Sequence, residues 1–159
     1  MVTLPDNSAD SRADLHTDTD APSVGTSGST SYNTAAANHV ARQMRGVRGA
    51  TTVDRDDATE ILAVTQELLT EILRRNNTTK DDVISAFFTV TPDLHAEFPA
   101  RAARELGWGD VPMLCGLEMD VPNAIQRCIR VLLHVSLPGH KSDVRHVYLR
   151  AAEELRPDL

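Results

Sequence analysis

Two short apolar runs constrain the fold of this chain more than any other feature of its sequence. Residues 83–90 (VISAFFTV) and 128–136 (CIRVLLHVS) are nearly continuous in apolar side chains and rich in β-branched or aromatic residues. Runs of this length and composition are typical of strands, and a continuous run is typical of a strand buried on both faces. The sequence therefore predicts strands at both places, the first of them central in a sheet.

An amphipathic helix is predicted before the first of these runs. Asp57, followed three residues later by Glu60, matches a capping box, which satisfies free N–H groups at a helix start. Asn76 and Asn77 can end the helix, because asparagine tolerates the left-handed cap conformation. Between these caps, side chains that can face a core recur at helical spacing, at Ile61, Leu62, Thr65, Leu68, Leu69, Ile72 and Leu73.

The other predicted elements are shorter. Residues 44–53 and 111–119 are expected to form strands, and Pro99 can open a short helix over residues 99–106. A helical turn is expected near Pro122, and residues 142–155 are compatible with either helix or strand. The alternation of strands and helices predicts an α+β (α/β-like) fold with a mixed sheet packed against helices.

The composition changes sharply near residue 43. Residues 1–43 are rich in Ser, Thr, Asp, Asn and Ala and have almost no large apolar side chains. Such a segment cannot bury enough apolar surface to offset the entropy lost on ordering it. It also lacks the apolar centre of a secretory signal and the acid-poor composition of a transit peptide. We expect a disordered acidic extension over residues 1–43 and one folded domain over residues 44–159.

Charge and cysteine content narrow the partners and the compartment. The formal net charge of −7 disfavours a nucleic-acid partner, which needs a basic face. No stretch approaches the roughly 18 to 20 apolar residues that span a bilayer, so no membrane partner is expected. Cys115 and Cys128 are too few for a secreted disulfide scaffold, which favours the cytoplasm. Because the strands of this small domain are nearly all apolar, oligomerisation is expected to cover the apolar surface that the domain cannot bury by itself.

Two charged residues inside apolar strands need an explanation. Strand alternation places Arg130 beside Cys128 and Leu132 on one face. An unpaired charge there is costly, so Arg130 must meet an internal partner, such as Glu118, or an anionic ligand. Glu118 also interrupts an apolar run, and it is either paired or holds a ligand hydroxyl or cation. Both alternatives remain open at this point.

Other chemistry finds little support in the sequence. The segment RGVRGA lacks the lysine and spacing of a phosphate-binding loop, and the scattered histidines form no helical metal-binding pair. Cys115 is more typical of a packed thiol than of a nucleophile. Arg48 can clamp a carboxylate with its planar guanidinium or remain a solvated charge. Together with Tyr148, these arginines and Glu118 favour binding of a small dianion, without a metal or another cofactor.

Several segments together resemble the AroH-class chorismate mutases, in the family's order and over the whole of the predicted domain. They are residues 45–53 (RGVRGATTV), 91–108 (TPDLHAEFPARAARELGW), 111–121 (VPMLCGLEMDV), 128–135 (CIRVLLHV), 145–149 (RHVYL) and 155–159 (LRPDL). The resemblance implies a homotrimeric pseudo-barrel with active sites in clefts between subunits. It implies a cofactor-free isomerase of the shikimate pathway, which converts chorismate into prephenate for phenylalanine and tyrosine biosynthesis.

The resemblance also implies residue roles. Arg130 would face the ether oxygen, Glu118 would accept a hydrogen bond from the ring hydroxyl, and Arg48 would bind a carboxylate. Tyr148 would contact the side-chain carboxylate. The other substrate-binding positions that it implies are Phe98, Ala100, Arg101, Arg104, Met113, Leu114, Cys115, Leu155 and Arg156. One subunit would supply Phe98, Arg104, Cys115 and Glu118, and its neighbour would supply Arg48, Arg130 and Tyr148.

The chain departs from the family pattern at the rim of the expected cleft. Arg101 stands where lysine is common, Leu114 where threonine is frequent, and the loop at residues 107–110 is one residue shorter. Two other functions fit the same architecture: a trimeric sensor of an aromatic-pathway metabolite, or an imine deaminase with a carboxylate-anchoring arginine and a positioned water. Glu118, within the segment MLCGLEMDV, favours the mutase.

Overall fold

A computed structural model describes residues 41–158 of the chain. Most of the acidic extension expected over residues 1–43 therefore lies outside the described residues, and Gln43 already belongs to the first strand. Two helices, α1 (Ala58–Arg75) and α2 (Pro99–Glu105), accompany five strands: β1 (Gln43–Thr52), β2 (Val83–Val90), β3 (Met113–Leu117), β4 (Cys128–Leu137) and β5 (Val147–Tyr148). Short 3-10 helices lie at Lys80–Asp82, Lys141–Asp143 and Arg150–Leu155.

The strands form one mixed sheet in the order β3-β2-β4-β1-β5. Its centre is antiparallel, because β4 pairs antiparallel with both β1 and β2. Its two edges are parallel, since β5 runs along β1 and β3 runs along β2. This arrangement confirms the predicted α+β class with a mixed sheet. None of the helices in the described part of the chain is long and apolar enough to cross a membrane.

The caps of α1 agree with the sequence pattern in most respects. The Asp57 carboxylate accepts a hydrogen bond from the Glu60 backbone N–H at 3.0 Å. In a capping box, the Glu60 carboxylate would accept from the Asp57 backbone N–H. Here it accepts instead from the Asp54 N–H, three residues earlier, at 2.6 Å. At the other end, Asn77 adopts a positive φ of 47°, the left-handed conformation that asparagine tolerates.

Three predicted elements differ from the structure. The strand expected over 111–119 is shorter, and the helical turn expected near Pro122 is a tight turn closed by a 3.1 Å hydrogen bond from the Ala124 N–H to the Val121 carbonyl. Residues 142–155 form neither one helix nor one strand: β5 lies between two 3-10 helices. The local sequence pattern could not decide between helix and strand here, because contacts to distant elements hold this segment in place.

The two faces of the sheet have different surroundings. One face packs against α1 and α2 to form the main core, which includes Val47, Phe88, Leu133, Leu69 and Ile72. On the other face only a small cluster forms, where the last 3-10 helix brings its apolar side chains onto the sheet. No other element among residues 41–158 packs on the rest of that face, which exposes large apolar side chains, among them Phe87 at 42% and Leu132 at 37% exposure.

Helix α1 approaches the sheet closely at Gly49. A Cβ atom at this position would lie 2.6 Å from Ile72 Cδ1 and 3.2 Å from Leu68 Cδ1. Because both side chains are fully buried, they have little room to move. We expect Gly49→Ala to lower the free energy of unfolding by about 1–3 kcal/mol through overpacking.

Chemical denaturation of Gly49→Ala, with Gly109→Ala as the matched control, checks this expectation. A Cβ at Gly109 would meet no heavy atom within 4 Å, so the control is expected to stay close to wild type. Equal stability of the two variants would contradict the close approach of α1 at Gly49.

Candidate active site

A cavity of about 360 Å³ lies on the sheet face that turns away from α1. Strand register creates it, because Arg130 on β4 lies directly between Ala50 on β1 and Thr89 on β2, and Ala50 in turn pairs with Tyr148 on β5. The cavity is therefore floored by three strands and closed on one side by the C-terminal segment. Its lining is Arg48, Gly49, Ala50, Phe87, Thr89, Arg130, Val131, Leu132, Tyr148, Leu155 and Arg156.

Arg130 and Glu118 meet at the edge of this cavity. Arg130 Nε lies 3.1 Å from Glu118 Oε1, so the internal ion pair considered for Arg130 is present. Glu118 Oε1 also accepts a hydrogen bond from the Thr89 hydroxyl at 2.5 Å. Although buried, Arg130 Nε has no aligned hydrogen-bond acceptor in the described chain. The Arg130 side chain is nevertheless 41% exposed and lines the cavity, so its terminal N–H groups can meet an anion there.

This contact bears on the implied division of residues between subunits. Glu118 was expected beside Phe98 and Cys115, on the opposite half of the site from Arg130. In the structure, Glu118 follows β3, its backbone N–H donates to the Val90 carbonyl at 2.9 Å, and its side chain reaches Arg130 in the same chain. Within one chain, β3 ends beside β2 and directs this carboxylate toward the Arg130 face; which subunit's Glu118 acts in an assembled cleft stays a prediction.

The mouth of the cavity already holds a carboxylate of the chain itself. Arg156 donates two hydrogen bonds to Asp158, from Nε at 2.7 Å and from a terminal nitrogen at 2.6 Å. These bonds hold the pKa of Asp158 at about 2, and the nearby charge of Arg48 lowers it as well. Asp158 also raises the pKa of Arg156, with a smaller contribution from Tyr148. A carboxylate is thus stable beside Arg156, where the charge of Arg48 also favours it.

A second cavity, also of about 360 Å³, lies on the other face of the sheet near the β3 edge. Cys115 pairs with Phe88, whose side chain is buried in the main core, so Cys115 points toward the helix side. Phe98, at the start of α2, is 67% exposed at this cavity. Its lining is mostly apolar: Val90, Leu94, His95, Ala96, Glu97, Phe98, Pro99, Cys115, Gly116 and Leu117.

The remaining positions implied by the resemblance lie outside both cavities. Ala100 is buried in the main core, and Met113 packs half-buried against it. Arg101 is held on the surface of α2 by ion pairs with Glu97 and Glu105. Exposed side chains are found at two further positions, Arg104 on α2 and Leu114 on the uncovered sheet face. Their contact with substrate stays a prediction.

Several cavity residues were missed by the sequence reasoning, among them three with side chains on the Arg130 face. Phe87, Thr89 and Leu132 occupy alternate positions of β2 and β4 on the face that carries Arg130. The signal that identifies them is the two-residue period of a strand, counted from its polar members. It was obscured in residues 83–90, where apolar side chains fill both faces.

Ionisable side chains near the cavity leave few other reactive groups. Burial raises the pKa of the Cys128 thiol, although the charge of Arg130 acts in the opposite direction. Cys128 is therefore a neutral packed thiol near pH 7. Among the described residues, no group of three or more His, Cys, Asp or Glu side chains is arranged to hold a metal ion.

Comparisons with known proteins show what this chain is similar to. The family model for chorismate mutase type I matches residues 44–159. The chain is 50% identical to chorismate mutase AroH of Bacillus subtilis (strain 168) over 117 residues, which cover 73% of this chain and 92% of that protein. It is 44% identical to chorismate mutase AroH of Thermus thermophilus over 117 residues, 73% of this chain and 96% of that protein.

A solved structure of similar sequence has the same fold. The chorismate mutase of Clostridium thermocellum superposes with a TM-score of 0.68 at 49% sequence identity. The superposition covers 69% of this chain and 97% of the other. The family match covers the segment that carries both cavities. The chain therefore belongs to the chorismate mutase type I family.

Proposed function

We propose that this chorismate mutase rearranges chorismate to prephenate in a cleft that two copies of the chain build together. The observation that carries the proposal is the convergence of Arg48, Arg130 and Arg156 with Tyr148 on one cavity. Chorismate carries two carboxylates, and guanidinium groups bind carboxylates through parallel hydrogen bonds. As a chorismate mutase, the protein is an isomerase of aromatic amino acid biosynthesis.

The reaction is unimolecular, since the ether C–O bond breaks while a new C–C bond forms. It requires no proton transfer, electron transfer or covalent intermediate. We infer that the protein accelerates it by holding the flexible substrate in the compact conformer that brings the two carbons together. Arg130 supplies the second contribution, because its positive charge stabilises the negative charge that grows on the ether oxygen.

Glu118 and Arg48 complete the proposed catalytic set. The Glu118 carboxylate is held by Thr89 and Arg130, so its remaining acceptor capacity can receive the ring hydroxyl of chorismate. Arg48 and Tyr148 bind a substrate carboxylate at the position where Asp158 lies beside Arg156. Leu155 contributes apolar surface to the same wall of the cavity.

The homotrimer is supported by where the two cavities lie. The cavity lined by Arg48, Arg130 and Arg156 is called the arginine cavity. It and the second cavity, beside Phe98 and Cys115, open on opposite faces of one sheet, so they cannot enclose one substrate within one chain. A neighbouring copy can bring its second cavity against the first. Such an assembly also covers exposed apolar side chains, including Phe98 at 67% and Leu114 at 67% exposure.

A cytoplasmic location is part of the proposal. Cys115 and Cys128 are both free thiols, as expected in a reducing compartment. Fractionation of the producing cell tests this location, and enzyme found mainly outside the cytoplasm would contradict it.

The activity is tested by mixing purified protein with chorismate and following the loss of its ultraviolet absorbance. Prephenate is confirmed by its acid conversion to phenylpyruvate. Light scattering of the same sample measures the mass of the assembly. Consumption above the spontaneous rate by a trimer is the expected result; a folded protein that leaves chorismate unchanged would contradict the proposed reaction.

A further inference from the structure

His146 makes a contact that ties together two strands of the proposed site. Its Nδ1 atom accepts a hydrogen bond from the backbone N–H of Arg48 at 3.1 Å. His146 lies immediately before β5, which pairs with β1 at Gly49 and Ala50. The imidazole therefore continues the β1–β5 ladder by one position, in the place where a backbone carbonyl would otherwise accept.

This contact matters because β5 is only two residues long. The backbone holds its far end, where the Leu149 N–H donates to the Ala50 carbonyl at 2.9 Å. At its near end, the Asn76 side chain accepts from the Arg145 N–H and donates to the Arg145 carbonyl, both at 2.8 Å. Between these anchors, the His146 ring accepts the hydrogen bond that links this segment to Arg48 on β1.

The hydrogen bond restricts the ionisation state of His146. Nδ1 can accept only when it carries a lone pair, so the ring must be neutral with its proton on Nε2. Burial lowers the pKa of His146, and the charges of Arg48 and Arg156 lower it further. His146 lines a separate cavity of about 410 Å³, together with Arg45 on β1 and Lys141. No carboxylate is among the described residues that line this cavity. The surroundings therefore favour the neutral ring.

We propose that neutral His146 is a positioning residue, which holds the Arg48 and Tyr148 strands in the register that places both side chains at a substrate carboxylate. The proposal rests on the proposed function, because it acts through two residues assigned there to substrate binding. Protonation removes the acceptor and leaves the Arg48 N–H facing a cationic ring. The β1–β5 link then opens at the point from which the Arg48 side chain projects.

A pH profile separates this role from a purely structural one. Wild-type kcat/KM is expected to fall as the pH drops through the pKa of His146, below the ordinary value of 6.5. The charged side chains that face His146 are the cations Arg45, Arg48, Arg156 and Lys141, and the pKa of Asp158, which Arg156 holds, is about 2. Asp158 therefore does not titrate where this acid limb is expected.

Two variants test the origin of the acid limb. Asparagine places an acceptor oxygen near the position of Nδ1 but does not titrate. His146→Asn is therefore expected to keep kcat/KM within about threefold of wild type at neutral pH and to lose the acid limb. His146→Ala removes the acceptor, and we expect kcat/KM to fall about tenfold, mainly through a higher KM, because uniform substrate binding is lost. His140→Asn, at an exposed histidine nearby, is the matched control and should keep the wild-type profile.

The results distinguish this role from the function itself. An unchanged acid limb in His146→Asn, or unchanged kinetic constants in His146→Ala, would overturn the role of His146 and leave the mutase intact. Absence of any wild-type activity would instead overturn the proposed function. In that case the Arg48 amide resonance, followed by NMR over the same pH range, decides whether the link exists: it must shift with pH in wild type and stay constant in His146→Asn.

Discussion

Replacing Arg130 with alanine is expected to lower kcat by about 10²–10³-fold, equivalent to about 3–4 kcal/mol of transition-state stabilisation. The guanidinium is fixed on a central strand and held by Glu118, so it needs no reorganisation as charge develops on the ether oxygen. Because an alanine cannot replace that charge, the loss should fall mainly on kcat. Initial rates over a range of chorismate concentrations measure it.

The folded state is expected to survive this substitution. Glu118 loses its cationic partner but keeps the hydrogen bond from Thr89, and its partly exposed carboxylate can be hydrated. Circular dichroism and thermal unfolding of the variant check this point. Arg74→Ala is a suitable control, because it removes an exposed arginine that pairs with Glu71 on α1, the helix that packs on the sheet face opposite the Arg130 cavity. Its kcat should stay within about twofold of wild type.

Lysine at position 130 adds information about geometry. It keeps the positive charge beside Glu118 but lacks the planar set of donors that arginine presents. A partial rescue relative to alanine is therefore expected. If Arg130→Ala retains kcat within threefold of wild type, Arg130 is not the electrostatic catalyst, whatever the lysine variant does.

Much of the fold could be predicted because its signals are local. The spacing of apolar residues identified α1, and continuous apolar runs identified β2 and β4. Residues 142–155 had no such signal. Their order depends on side chains from elsewhere, since Asn76 of the α1 cap binds Arg145 and the Arg48 backbone binds His146.

The site was only partly predictable for a related physical reason. Strand alternation alone placed Arg130 on one face with Cys128 and Leu132, as the structure confirms. Whether Glu118 reaches that face depends on the register between β3 and β2 and on where β3 ends, and neither is encoded by a local pattern. The two explanations for Arg130 were also not exclusive. The ion pair with Glu118 is present, and it lies at the edge of a cavity suited to an anion.

The second large effect is expected when each of two variants damages a different cavity and the two are assembled together. Arg130→Ala damages the arginine cavity, whereas Cys115→Trp fills the second cavity from an exposed position and should not disturb the core. Each variant alone is expected to lose most activity. Within one mixed trimer, however, an intact arginine cavity from the Cys115→Trp chain can meet an intact second cavity from the Arg130→Ala chain.

Refolding the two variants together in equal amounts should therefore restore activity. With random assembly, each site receives an intact half from each neighbour with a probability of one half, so about one quarter of wild-type activity is expected. A single-chain site predicts no restoration, because every chain in the mixture carries one damaged cavity. Recovery that appears only after joint refolding, and not after simple mixing of assembled proteins, would exclude a contaminating enzyme.

A matched pair tests which half contains Glu118. The structure places Glu118 and Arg130 in the same chain, 3.1 Å apart, so Arg130→Ala and Glu118→Ala damage the same half. Joint refolding of these two variants should restore nothing, since no neighbouring pair can supply an intact arginine cavity. If Glu118 instead acted beside Phe98 and Cys115 of the opposite half, this pair would recover the same quarter. No recovery from Arg130→Ala with Glu118→Ala, together with recovery from Arg130→Ala with Cys115→Trp, would show that two chains build the cleft. It would also assign the Glu118 carboxylate to the same half of the cleft as Arg130.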